Sequence, residues 1–291
     1  GYKGLVGSAI LRQLEKSGYE NILKVDLAET DLTDQVEVDN FFKNNKPEYV
    51  FLCAAKVGGI FANNTYPAEF IYQNLMIQTL TINAAYRNET KALLFLGSSC
   101  IYPKYAPQPM KEEHLLTGSI EPTNEPYAIA KIAGIKMCQS YRRQYGFNSI
   151  CLMPTNLYGP GDNFDLKKSH VLPALIRKLH EAKLSGAKYI DIWGSGSQKR
   201  EFLFIDDLAS AAVFIMNQPN ETLNRVAPDR ILNIGVGEDV TIGESAQIIR
   251  DIVYKEANLN FDRSKTDGAP QKLLDVTRIN RLGWTASTDF R

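Results

Sequence analysis

Cysteine and histidine are scarce in this 291-residue chain, which holds four of the first and three of the second. Cys53, Cys100, Cys138 and Cys151 show no Cys-x-x-Cys spacing, so neither a structural zinc site nor any other metal is expected. Reduced thiols of this kind suit a cytoplasmic protein. Net charge is lacking too. Thirty-three Lys and Arg residues cancel thirty-three Asp and Glu, and without an overall positive field neither nucleic acid nor an acidic membrane surface is an expected partner. No apolar run approaches the roughly 20 residues that span a bilayer, and no signal-peptide pattern is present. Internal repeats and low-complexity segments are absent. A hydrophobic share of 44% is enough for a substantial core, in one large α/β domain or a domain with a smaller lobe.

The first residues carry a pattern. Gly1, Gly4 and Gly7, with Lys3, Leu5 and Val6 between them, open a helical period that runs to Lys16 and closes at Gly18. A Gly-x-x-Gly-x-x-Gly turn lets backbone amides and a helix N-terminus approach a pyrophosphate. Asn21–Asp26 reads as the next strand, with Asp26 placed to bond an adenine ribose. The runs Tyr49–Ala55, Ala92–Gly97 and Ser149–Met153 are continuously apolar, as strands covered on both faces are. Helical stretches alternate with them, among them Pro67–Tyr86, and the expected fold is α/β with a doubly wound parallel (Rossmann) sheet. After Gly161 the rhythm changes. Residues 1–160, with 201–235 returning to them, are expected to bind the dinucleotide, and 161–200 with 236–291 to form a smaller C-terminal substrate-binding lobe. A ligand belongs between the two, at the carboxyl ends of the strands.

Tyr127 and Lys131 stand four residues apart in a helical segment, and so share one face. An ammonium beside a phenol favours the charged form and brings the tyrosine toward the range where it exchanges protons with a substrate oxygen. Ser98, at the end of the Ala92–Gly97 strand, can add a hydrogen-bond donor.

Taken in order, Gly1/Gly4/Gly7, Ser98, Tyr127/Lys131 and Asn156-Leu157-Tyr158-Gly159-Pro160-Gly161 resemble the extended short-chain dehydrogenase/reductase family of nucleotide-sugar enzymes. Further stretches strengthen the likeness: Ala54–Ile60 with Ala62–Pro67, Gly97–Pro103, Pro122–Tyr127 and Pro154–Tyr158. The resemblance covers nearly the whole chain. It implies a first strand before Gly1 and a further helix after Arg291.

The implied activity is epimerisation of GDP-4-keto-6-deoxy-D-mannose at C3 and C5, then reduction of its C4 ketone by NADPH to give GDP-L-fucose. Both carbons lie next to the ketone, so their protons are acidified, and inversion needs an acid on one face and a base on the other. The resemblance assigns that pair to Cys100 and His170, and the reduction to Tyr127, Lys131 and Ser98. It implies cofactor contacts from the glycine turn, Ala54, Lys131, Pro154, Thr155, Asn156, Leu157 and His170. GDP contacts fall to Lys178, Trp193, Arg200, Asp267 and Lys272, of which Arg200 is best suited to grip phosphate through two hydrogen bonds. NADP is the expected cofactor. NAD stays open, because the Asp26 carboxylate suits a free 2′-hydroxyl while Lys3 and Lys24 suit a 2′-phosphate. A 4,6-dehydratase, a 4-epimerase or a non-catalytic dinucleotide-binding protein are the alternatives. A homodimer is expected from the family's habit of pairing helices and from the small residues Ala130, Ala133 and Gly134.

Overall fold

The computed structural model describes residues 1–166, 169–264 and 268–290. Its first half alternates helix and strand: α1 (Leu5–Lys16), α2 (Gln35–Asn45), β1 (Tyr49–Leu52), α3 (Ile60–Thr65), α4 (Pro67–Arg87), β2 (Ala92–Leu96), α5 (Glu125–Tyr145), β3 (Ser149–Pro154) and β4 (Asn156–Tyr158). There follow α6 (Val171–Ser185), β5 (Tyr189–Trp193), β6 (Lys199–Arg200), β7 (Phe202–Phe204), α7 (Ile205–Met216), α8 (Asn220–Val226) and β8 (Ile231–Ile234). The chain ends through β9 (Val240–Thr241), α9 (Ile242–Val253), β10 (Asn258–Asp262), β11 (Gln271–Lys272) and α10 (Thr277–Arg281).

The central sheet is parallel, in the order β1-β2-β3-β8. All five residues of β2 and all six of β3 are buried, as a sheet covered on both faces requires. Alternate side chains serve two cores. Leu93 and Phe95 join α2, α4 and α5 through Phe42, Ile82 and Ile135. Leu94 and Leu96 join α1 and α7 through Ile10 and Leu208, and Ile279 and Trp284 from the end of the chain pack into this second core. A third core lies apart, where Leu175 and Leu179 of α6 meet Ile190 and Ile192 of β5 and Ile249 of α9. Truncating a residue such as Leu94 to alanine would cost about 2–5 kcal/mol.

Local chemistry fixes the ends of these elements. Asp34 caps α2 by accepting from the amides of Val36 and Glu37 at 2.8 and 3.0 Å. Proline stands in the first turn of both α4 and α5, where its missing N–H is not needed. Gly146 ends α5 at φ +71°, a conformation that only glycine adopts without strain.

Two expectations are corrected. Asn21–Asp26 forms no strand among the described residues. A strand needs a cross-strand ladder, and no described strand pairs with this segment. Two of the three small residues of α5, Ala130 and Gly134, pack within this chain. Ala130 is fully buried, and a β-carbon added at Gly134 would lie 2.5 Å from the Phe95 ring and 2.8 Å from Gln78 Oε1. They let α5 sit close against α4 and β2 of the same chain.

Candidate active site

The glycine turn packs as the spacing predicts. A β-carbon at Gly7 would fall 2.2 Å from the Gly1 carbonyl oxygen, and one at Gly1 would fall 2.9 Å from the Ala54 backbone. Gly4 caps α1 without a side chain, and the first turn holds no acidic residue. The amides of Leu5, Val6 and Gly7 therefore carry the positive end of the helix dipole with no side chain offsetting it, an anion site by construction.

At the rim of this turn Lys3 forms an ion pair with Asp26. The bond to Lys3 holds the Asp26 carboxyl below its usual range, helped by the Ala28 and Glu29 amides. Asp26 is thus a neutralised carboxylate. Lys24 turns away to pair with Glu15 at 3.4 Å. Opposite, Thr155 donates from its amide to Ile234 at 3.0 Å, and the Thr155 hydroxyl and Asn156 amide both donate to the Glu201 carbonyl, at 3.2 and 2.8 Å. Pro154 ends β3 and Leu157 lies in β4, so this wall is anchored at the carboxyl end of the sheet.

Tyr127 and Lys131 meet on one face of α5, with the ammonium 5.8 Å from the phenol ring centre and 4.9 Å from that of Phe95. Lys131 is only 3% exposed and donates to the Leu96 carbonyl at 2.8 Å. Burial lowers its pKa to about 8, against the opposing influence of Cys100 and Cys53. Tyr127 departs from expectation. Burial raises its pKa well above the ordinary value, Cys100 adds to the rise, and only the neighbouring Ser98 opposes it. Desolvation of the phenolate outweighs the neighbouring cation, so the resting phenol holds its proton and is a donor.

Ser98 joins two chemistries. It lies close enough to both the Tyr127 phenol and the Cys100 thiol to favour the charged form of each, and its hydroxyl accepts from the Cys100 amide at 3.3 Å. Burial pushes the Cys100 thiol up, while Ser98, Lys272 and Lys131 oppose the rise. His170 is the N-cap residue of α6. Its ring meets solvent, yet enough protein surrounds it to lower its pKa, and Asp162 acts in the other direction. The thiol thus rests protonated and the imidazole neutral.

The cationic residues fall into two groups. Arg200 and Lys272 are register partners on β6 and β11. Like charges opposed across strands are unfavourable, and burial and the Arg200 charge both lower the pKa of Lys272. An anion placed between them would relieve that strain. Arg200 Nη2 lies beside Gly268; Asp267, the preceding residue, lies outside the described residues. Farther out, Lys178 sits over the Trp193 ring at 5.6 Å and donates to the Asp191 carbonyl at 2.9 Å. With Tyr189 and Glu181 they line a shallow depression of about 540 Å³. Two residues escaped sequence reasoning, Asp162 beside His170 and Glu201 beneath Arg200. The second has a signal, since it directly follows Arg200.

A parallel sheet with a glycine turn at its carboxyl end and a Ser-Tyr-Lys group beside it defines a dinucleotide-dependent enzyme. Residues 1–243 match the model of the NAD dependent epimerase/dehydratase family, and the chain belongs to that family. It is 55% identical over 291 residues to GDP-L-fucose synthase 1 of Arabidopsis thaliana, covering 100% of this chain and 88% of that protein. It is 54% identical over 286 residues to the GDP-L-fucose synthase of Escherichia coli K12, covering 98% and 89%. Among solved structures, a GDP-mannoheptose C4 reductase from Campylobacter jejuni with NADP bound superposes with a TM-score of 0.91 at 40% identity, covering 100% and 92%.

Proposed function

We propose that this chain converts GDP-4-keto-6-deoxy-D-mannose to GDP-L-fucose by epimerising C3 and C5 and then reducing C4 with NADPH. One observation carries the reading: Ser98 lies beside both a tyrosine proton donor and a cysteine thiol and acts on each, with its hydroxyl accepting from the Cys100 amide at 3.3 Å. A ketone oxygen received by Ser98 and Tyr127 brings its neighbouring carbon within reach of Cys100. The same two donors then stabilise the enolate during epimerisation and protonate the oxygen during reduction. Cys100 and His170 begin in opposite protonation states, so one gives a proton while the other takes one.

NADPH, when bound, supplies the hydride. The residues present fit it: the uncapped start of α1 for the pyrophosphate, Lys3 for the 2′-phosphate, and Lys131 for the nicotinamide ribose. Its pairing with Lys3 keeps Asp26 from acting as a free negative charge toward that phosphate, and NADP is the cofactor we assign. Arg200 and Lys272 hold the diphosphate, Trp193 and Lys178 the guanosine, and Asp267 a sugar or ribose hydroxyl. The dinucleotide part comprises residues 1–160 and 201–235, and the substrate lobe 161–200 with 236–291, whose last helix packs back on the sheet. We place the enzyme in the cytoplasm as a homodimer, whose interface would use exposed residues on α4 and α5 such as Tyr72 and Ile129. Among the described residues, no helix is long and apolar enough to cross a membrane.

The test is to supply GDP-4-keto-6-deoxy-D-mannose with NADPH, follow loss of absorbance, and identify the sugar. A reduced but unepimerised product would favour a plain C4 reductase. No net NADPH consumption would favour a 4-epimerase or a dehydratase.

A further inference from the structure

Glu201 is fully buried at 0% exposure, between Arg200 of β6 and Phe202 of β7. No side-chain cation is described beside its carboxylate. Three backbone amides hold it instead: Oε1 accepts from Val236 and Gly237, both at 2.7 Å, and Oε2 accepts from Leu274 at 3.0 Å. Gly235 makes room for it, since a β-carbon there would lie 2.2 Å from Oε1. The backbone of the same residue is also committed. Its amide donates to the Lys272 carbonyl at 3.3 Å, and its carbonyl accepts from Thr155 Oγ1 and Asn156 Nδ2 at 3.2 and 2.8 Å.

One residue therefore ties together three pieces of chain that carry different duties. Thr155 and Asn156 stand at the cofactor wall. The turn after β8 belongs to the central sheet. Lys272 and Leu274 lie on the segment that brings the second cation to Arg200. A buried carboxylate is costly unless its acceptors are filled, so these amides and the carboxylate fix one another's positions.

We propose that Glu201 is a positioning residue that sets Arg200 and Lys272 at the spacing a diphosphate requires. The inference rests on the assignment of Arg200 and Lys272 to the diphosphate. Glu201→Gln keeps the shape but turns an amide NH₂ toward at least one backbone donor, which forces the seam apart. Loss of a merely structural residue would lower melting temperature without singling out either cation.

The test measures binding of GDP and of NADPH to the full chain by calorimetry, for wild type, Arg200→Ala, Glu201→Gln and the double variant. Glu201→Gln should weaken GDP about tenfold and NADPH less than about twofold, and Arg200→Ala should cost much less in its presence than in wild type. Unchanged GDP affinity in Glu201→Gln, or losses that simply multiply, would overturn the proposal. If Arg200→Ala alone leaves GDP binding intact, the diphosphate assignment is at fault and the proposal falls with it. Should Glu201→Gln not fold, Glu201→Asp, which withdraws the carboxylate by one methylene, must show the same selective loss at smaller size. Wild-type GDP affinity in that variant would count against the role.

Discussion

The Lys131 ammonium donates to the Leu96 carbonyl at 2.8 Å while lying over the Phe95 ring. A cation is thus held on the strand end that delivers Ser98, inside apolar surroundings that lower its pKa to about 8. The site keeps a charge where burial disfavours one, and this has consequences for both pH and stability.

In the proposed reaction Lys131 bonds the nicotinamide ribose as an ammonium. Reduction measured as kcat/KM should fall as pH rises through about 8, by about tenfold for each further unit. A profile flat from pH 7 to 10 would contradict this role for the lysine.

For stability, the sign runs the other way. A lysine at about 8 when folded and 10.5 otherwise binds fewer protons in the folded state between those values, so folding strengthens as pH rises across that window. Below pH 8 the buried charge is a net cost. Lys131→Met should therefore abolish reduction yet raise stability at pH 7, by on the order of 1 kcal/mol once the lost bond to Leu96 is subtracted. That advantage should vanish above about pH 10. Denaturant unfolding at pH 7 and pH 10 checks both points.

Tyr127→Phe removes only the phenol hydroxyl and its transferable proton. Reduction should fall by roughly 10²–10⁴-fold, with NADPH affinity nearly unchanged in a direct binding measurement. Near wild-type turnover would remove Tyr127 from the chemistry.

The Lys3–Asp26 ion pair sets up a contest with the cofactor. Lys3→Ala should weaken NADPH about tenfold and barely touch NADH, because only NADPH brings a phosphate to that cation. Asp26→Asn releases Lys3 and removes a carboxylate, so NADPH should bind more tightly. Dissociation constants for both cofactors in both variants decide it.

Much of this was legible in the residues themselves. The apolar runs at 92–97 and 149–153 became buried strands because both faces of a parallel sheet are covered, and the Tyr127–Lys131 spacing placed both on one face because a helix repeats every 3.6 residues. What remained hidden depends on distant partners. Glu201 reads in sequence as one more charged residue, and its burial arises from amides 35, 36 and 73 positions away. Asn21–Asp26 has the composition of a strand, but composition cannot supply the ladder. The small residues of α5 announced close packing without saying against what, and Phe95 and Gln78 answered. The direction of the Tyr127 shift was hidden for a related reason, since spacing reveals a neighbouring charge but not how much water the fold has removed.

The last prediction concerns the division of labour around Ser98, which neighbours both the Tyr127 phenol and the Cys100 thiol. If Cys100 only moves protons at the carbons beside the ketone, Cys100→Ser should block epimerisation, since a serine hydroxyl is too weak an acid or base near neutral pH. Tyr127, Lys131 and Ser98 would remain in place. In deuterated water with substrate and NADPH, the variant should lose incorporation at C3 and C5, while slow reduction yields a GDP-6-deoxyhexose other than fucose. His170→Asn should impair the same stage by removing the neutral imidazole. Asp162→Asn should leave His170 in place but lower its pKa further, because the carboxylate raises it; the acid limb of exchange should then move to lower pH. Mass spectrometry of the product and its deuterium content separates the two stages. GDP-L-fucose formed at the normal rate by Cys100→Ser would make Cys100 a packing residue and leave the chain a reductase alone.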